Sequence, residues 1–186
     1  MKKFDFEESS LRGVFHLTPK PIEDSRGYFE RLFCEEDFAK IGLAKKIVNI
    51  NHTYTKQKGT IRGFHFQYPP SSETKIVMCL KGSVYDVAVD LRKGSPTFLG
   101  WHSQVLSAEK RNMLLIPEGF AHGFQTLEDD VELLYLHTGF YSEQLEGGLL
   151  YNDPKINVSW ALEPIEVSQR DKAHALIADN FEGIDV

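Results

Sequence analysis

Ser83-Val84-Tyr85-Asp86-Val87-Ala88-Val89-Asp90-Leu91-Arg92 is the stretch whose reading decides the fold. It is dominated by β-branched residues, which suit a pleated and half-buried surface. Successive side chains of an extended strand point to opposite faces. Tyr85, Val87, Val89 and Leu91 then share one face, and Val84, Asp86, Ala88, Asp90 and Arg92 share the other. Asp86 and Asp90 lie two pleats apart with small Ala88 between them. The apolar face packs; the polar face either lines the hollow of a barrel or meets solvent.

Similar runs flank it. Strands are expected at Val14–Thr18, Gly27–Phe33, Ile47–Tyr54, Thr60–Phe66, Lys75–Lys81, Leu99–Ser107, Asn112–Ile116, His122–Thr126 and Val131–Thr138. Turn residues punctuate them, among them Lys58-Gly59, Pro69-Pro70-Ser71-Ser72, Lys93-Gly94-Ser95-Pro96 and Glu128-Asp129-Asp130. Many short strands at this spacing predict an all-β sandwich or barrel. One short helix fits Glu35–Ile41, with acidic residues in its first turn, Phe38 and Ile41 buried and Gly42 as its stop. From Pro164 onward the chain mixes short helical and irregular stretches, a tail expected to pack on the main body.

The 186 residues fit a single domain spanning 1–186, long enough to bury a core without disulfides or metal. Lys and Arg number 21 against 27 Asp and Glu, a formal net charge of −6. Such a chain is a poor partner for nucleic acid or an anionic membrane, although a few placed arginines can still hold a small anion. No run approaches the ~20 apolar residues of a membrane span. Met1-Lys2-Lys3-Phe4-Asp5-Phe6-Glu7-Glu8 turns acidic at once and does not read as a signal peptide. Cys34 and Cys79 match no zinc spacing and read as reduced thiols of a cytoplasmic protein.

Two of the seven histidines have informative neighbours: Gly63-Phe64-His65-Phe66-Gln67, followed by Glu73 and Lys75, and Pro117-Glu118-Gly119-Phe120-Ala121-His122-Gly123-Phe124. Together they resemble the two motifs of the cupin superfamily, a small β-barrel or jelly roll. Many cupins hold metal through a His-x-His pair, a following Glu and a second-motif His. Here Gln67 replaces the second histidine, and a neutral amide is a poor substitute for an imidazole, so no metal is expected. Arg62 and His65 lie close in sequence, with Lys75, Asp86 and Asp90 on the strands that follow. A sealed apolar core would not tolerate that cluster, which suggests a cavity for an anionic, oxygen-rich ligand.

More strings of the same kind follow in order: Asp24-Ser25-Arg26-Gly27-Tyr28-Phe29, Ile61 to Gln67, Tyr85 to Arg92, Ser95-Pro96-Thr97-Phe98, Ile116 to Phe124, Glu132-Leu133-Leu134-Tyr135, Tyr151-Asn152-Asp153-Pro154 and Ile156 to Trp160. With them the sequence closely resembles the RmlC-type family, the dTDP-4-dehydrorhamnose 3,5-epimerases, from about Gly13 to Asp171. The resemblance implies a cupin-type jelly roll and an isomerase without metal or redox cofactor. Its members invert stereocentres flanking the C4 ketone of a nucleoside-diphospho-4-keto-6-deoxyhexose, in deoxysugar biosynthesis. Hydrogens beside a ketone are acidic because the carbanion is delocalised as an enolate. Inversion therefore needs a base, a proton donor on the other face, and positive charge at the carbonyl oxygen.

The resemblance makes His65 the base, Asp171 its orienting carboxylate, Tyr135 the proton donor and Lys75 the charge near the C4 oxygen. It gives substrate contacts to Arg26, Phe29, Asn51, Arg62, Gln67, Asp86, His122, Tyr141 and Arg170. Arginine forks suit the diphosphate and aromatic faces the base. It also implies a homodimer in which the strand carrying Arg26 and Phe29 reaches the neighbouring site. Two positions depart from the family: Arg31 stands where a glutamate is common, and Asn49-Ile50-Asn51 replaces a Gln-Asp-Asn stretch. Both fall at the nucleotide end, leaving open a CDP-, GDP- or UDP-linked sugar, or inversion at C3 or C5 alone. A non-catalytic sugar-binding cupin is the rival of another class.

Overall fold

The computed structural model describes residues 3–186, so Met1 and Lys2 of the acidic start lie outside the described residues. In chain order the elements are β1 (Phe4–Glu8), β2 (Phe15–Pro19), β3 (Ile22–Asp24), β4 (Gly27–Phe29), α1 (Glu35–Ala39), β5 (Asn49–Thr55), β6 (Thr60–Gln67) and β7 (Lys75–Lys81). Then come β8 (Ser83–Asp90), β9 (Trp101–Ser107), β10 (Met113–Ile116), β11 (Phe120–Thr126), β12 (Val131–His137), β13 (Glu146–Gly148), β14 (Glu166–Val167) and α2 (Gln169–Lys172). One sheet runs β1-β2-β10-β7-β12-β5 and the other β13-β6-β11-β8-β9, with β14 joining β6 in parallel. The two open sheets face each other as a jelly roll rather than a closed barrel, and β3 and β4 form a separate hairpin.

Three apolar layers hold this arrangement. Between the sheets lie Val77, Cys79, Leu114 and Leu133 from the first and Val84, Ala88, Leu106 and Phe124 from the second. Outside the first sheet, Leu17, Ile76, Met78 and Leu136 pack on Phe4, Phe38 and Leu43. Outside the second, Phe64, Val87, Val89 and Leu91 pack under Leu149, Ile156 and Trp160 of the segment that follows β13 and under Ile177 of the tail. The central strand β8 is therefore buried on both faces, which explains its near-continuous apolar run.

This corrects one of the two options for its polar face. Asp86 does point between the sheets, but Asp90 lines no hollow: it accepts from Arg92, Ser95 and Thr97 and closes the following turn. The expected strand Gly27–Phe33 stops at Phe29, and β1, β3, β13 and β14 had no predicted counterpart. The last two are three and two residues long, too short for a periodic signal. α1 buries Phe38 as expected, and Gly42 at φ +91° follows it.

The tail is stapled by polar contacts rather than by apolar packing alone. Wholly buried Gln125 donates to Leu162 O and accepts from Leu162 N, each at 2.8 Å. Asp153, also buried, accepts from Ile177 N at 2.6 Å.

A bulge in β6 sets the site. His122 pairs with His65 and Phe124 with Arg62, so three residues of β6 span two of β11. The extra residue turns Arg62 and His65 toward the same side, where strict alternation would part them. Gly63 permits it: its φ is +116°, and a Cβ there would lie 2.6 Å from Gly123 Cα and 2.7 Å from His122 O, both backbone atoms. Gly63→Ala is expected to cost well over ~1 kcal/mol, because strain and overlap add. Gly94→Ala, at φ +72° with nothing within 4 Å, is expected to cost less. Urea midpoints of the two variants, compared at unchanged m, check this; equal losses overturn it.

Candidate active site

A cavity of about 220 Å³ opens between the two sheets. One wall comes from the first sheet: Asn51 and Thr53 of β5, Lys75 of β7, and Tyr135 and His137 of β12. In register, Tyr135 stands between Asn51 and Val77, and His137 beside Lys75. The facing wall is Arg62, His65 and Gln67 of β6 with His122 and Phe124 of β11. Glu73, Tyr141 and Glu146 complete the lining.

His65 is held through one ring nitrogen. Its Nε2–H donates to Asp171 Oδ1 at 2.7 Å, which leaves Nδ1 as the basic nitrogen. Asp171 Oδ2 accepts from Gly63 N at 3.2 Å. Asp171 lies in the first turn of α2, whose cap is Ser168: Ser168 Oγ accepts from Asp171 N, so the carboxylate is free to serve His65. Burial alone would raise the Asp171 carboxyl; the hydrogen bond and charge of His65, with Gly63 N–H, outweigh it and hold the group below its usual value.

Burial acts on the opposite wall as well. It pushes the Tyr135 phenol well above its ordinary value, and the negative charge of Asp86 adds to it. It pushes the Lys75 ammonium down, opposed by Glu73 at 3.5 Å. Lys75 Nζ also donates to His65 O at 3.1 Å, which ties the two sheets together across the cavity. Burial would raise Glu73, but His137 Nδ1 at 2.9 Å and Lys75 keep its carboxyl below its usual value. His122 donates to buried Asp86 Oδ1 at 2.7 Å.

The structure brings together His65, Asp171, Tyr135, Lys75, Asn51, Arg62, Gln67, His122 and Tyr141. Of the expected contacts, Asp86, Gln67, Arg26 and Phe29 are placed as follows. Asp86 is wholly buried beneath His122 and reaches the cavity only through that ring. Gln67 spends its amide on Ser71 O, Phe140 O and Ser142 N, and so shapes the rim. Arg26 and Phe29 lie on the exposed β3–β4 hairpin, with Arg26 paired to Asp24, away from the cavity between the sheets. Arg170 pairs with Glu146 and lines an adjoining cavity of about 330 Å³, which His65, Arg62 and Asp171 also line.

Sequence reasoning missed Glu73, His137, Thr53 and Glu146 as cavity residues. Period-two alternation from Tyr135 would have reached His137, and alternation from Lys75 would have reached Glu73. It also passed over His174, whose ring stands edge-on to His65 and packs on Gly148.

Comparison with known proteins agrees with this site. The dTDP-4-dehydrorhamnose 3,5-epimerase family pattern matches residues 8–179. The dTDP-4-dehydrorhamnose 3,5-epimerase of Salmonella typhimurium is 42% identical over 172 residues, 91% of this chain and 93% of that one. Among solved structures, the dTDP-4-dehydrorhamnose 3,5-epimerase of Elizabethkingia anophelis superposes with a TM-score of 0.92 at 32% identity, covering 97% of this chain and all of that one. The dTDP-6-deoxy-D-glucose-3,5-epimerase of Legionella pneumophila, solved with dTDP-4-keto-L-rhamnose, superposes at 0.88 with 34% identity, covering 93% of this chain and 92% of that one. With the motifs in order and the match spanning both sheets and the tail, the chain belongs to the dTDP-4-dehydrorhamnose 3,5-epimerase family of isomerases.

Proposed function

We propose that residues 1–186 act as one cupin-type domain that epimerises dTDP-4-dehydro-6-deoxyglucose at C3 and C5. One observation carries the reading: His65, oriented by Asp171, and Tyr135 stand on facing sheets and open on one cavity. His65 Nδ1 takes the proton beside the C4 ketone. The imidazolium that forms is stabilised by Asp171, as in a catalytic triad. Lys75, set between Glu73 and His65 O, stabilises the enolate oxygen. Tyr135 returns a proton to the opposite face; its raised pKa keeps the phenol protonated and ready to donate.

The diphosphate is assigned to Arg62 and Arg170 at the adjoining cavity, and the nucleotide base to Tyr141, which lines the cavity between the sheets. The site is completed by a second copy. The β3–β4 hairpin carries Ile22, Tyr28 and Phe29, all more than half exposed, and would deliver Arg26 and Phe29 to the partner's cavity. The two free thiols, Cys34 and Cys79, fit a reducing cytoplasm.

His65→Ala and Tyr135→Phe are each expected to lower kcat by about 100-fold or more while leaving the fold intact. In deuterated water, mass spectrometry of the product should find deuterium at both C3 and C5. A single label supports the one-carbon alternative, and near-normal turnover in His65→Ala removes the assignment.

The pH profile tests Lys75 apart from Tyr135. Burial lowers one and raises the other. If the ammonium is needed, kcat falls as pH rises through a value below the ordinary lysine value of ~10.4. Lys75→Arg, whose charge persists, should move that limb upward. A limb unmoved by that change assigns the loss to another group.

Sharing of sites is tested by mixing two defective chains. His65→Ala and Arg26→Ala should recover part of the wild-type activity when co-refolded, because one site of a mixed dimer is whole. No recovery overturns the swap.

A further inference from the structure

Among the described residues, one cluster offers three ligand atoms of metal-binding type: His65, Asp171 and His174, all within 4.8 Å of one another. We propose that these three form a binding site for a divalent transition-metal ion of the zinc type, and that occupancy switches the enzyme off. The site is not the His-x-His arrangement of metal-bearing cupins, since two of its three ligands come from the C-terminal tail.

The geometry supports it. Zinc bonds to imidazole nitrogen and carboxylate oxygen are both close to 2.1 Å, so tetrahedral ligands sit ~3.4 Å apart. Here Asp171 Oδ1 lies 2.7 Å from His65 Nε2 and 3.9 Å from His174 Nε2, distances that straddle that value. His174 Nε2 is buried and has no hydrogen-bond partner, a cost the protein carries unless something fills it. Its ring is seated against Gly148, where a Cβ would overlap it, so the nitrogen is held near Asp171. Asp171 lies in α2 and His174 just past its C-cap, Ala173, so one short segment supplies both ligands. The adjoining cavity, lined by His65 and Asp171, leaves space for water as a further ligand.

The consequence follows from proton bookkeeping and rests on the epimerase reading. A metal on His65 Nε2 displaces the proton donated to Asp171. The ring stays neutral only by carrying its proton on Nδ1, so the nitrogen that would accept the substrate's proton is already occupied. Base function is lost without any change of fold.

Binding is tested first without substrate. Co2+ titrated into the chelator-treated full chain should produce the visible absorption of a tetrahedral nitrogen–oxygen site, and Zn2+ should displace it. In His174→Gln, and in His174→Asn as a second replacement, affinity should fall at least ~10-fold. Turnover is tested second. Zn2+ should inhibit the wild type reversibly with EDTA, less at low pH where protons compete for the ligands. Measured against each variant's own turnover in EDTA, the His174 variants should need at least ~10-fold more Zn2+ for half-inhibition. Equal Co2+ spectra and affinities in wild type and variants overturn the site. Metal bound at the site with turnover unaffected overturns the switch and counts against His65 as the base, while leaving the binding intact.

Discussion

The close approach of β6 to β11 at Gly63 is the constraint on which the active site depends. A side chain there would meet the backbone of His122 and Gly123. Because it is absent, β6 can take the extra residue between Arg62 and His65, and both side chains turn into one cavity. The same glycine supplies an N–H to Asp171, so one residue sets the direction of His65 and helps fix its partner. A bulge beside an active site re-aims side chains in this way.

The cavity is built around groups that burial makes uncomfortable in opposite senses. Desolvation favours the neutral form of every titratable group. For Tyr135 this is useful, since a donor must hold its proton. For Lys75 it is a cost, offset by Glu73, which is itself steadied by His137. His137, Glu73 and Lys75 thus form a chain whose purpose is to keep one charge at the cavity wall. Asp86 beneath His122 makes a second such pair, with one carboxylate oxygen left without a partner.

Much of this was legible in the sequence because two periodicities carried it. Strand after strand alternates or runs apolar, and punctuation by Gly and Pro marks the turns, so ten of the fourteen described strands were placed to within a few residues, although five-residue β1 was missed. His65, Lys75, His122 and Tyr135 were named from ordered motifs, and the cavity holds all four. What could not be read was geometry that breaks the period. The bulge changes which residues of β6 share a face, and no alternation rule predicts it from Gly63 alone. Asp90 looked like Asp86 by parity, yet local competition won: Arg92, Ser95 and Thr97 satisfy it within a turn. β13 and β14 are too short to have a period and form because β6 has an unpaired edge to offer.

That edge explains why the carboxylate that pairs with His65 comes from so late in the chain. Thr60 and Ile61 pair with Glu166 and Val167 in parallel, and α2 begins two residues later. The strand that carries His65 therefore also docks the segment that carries Asp171. Gln125 on neighbouring β11 grips the tail at Leu162, just upstream of that docking point. His65 and Asp171 are separated by 106 positions in the chain, yet they are positioned by one strand and its neighbour. A dyad so built exists only when the tail is seated. Loosening the tail would leave both sheets folded while His65 lost its orientation, so activity is bound to depend on tail contacts more steeply than stability does.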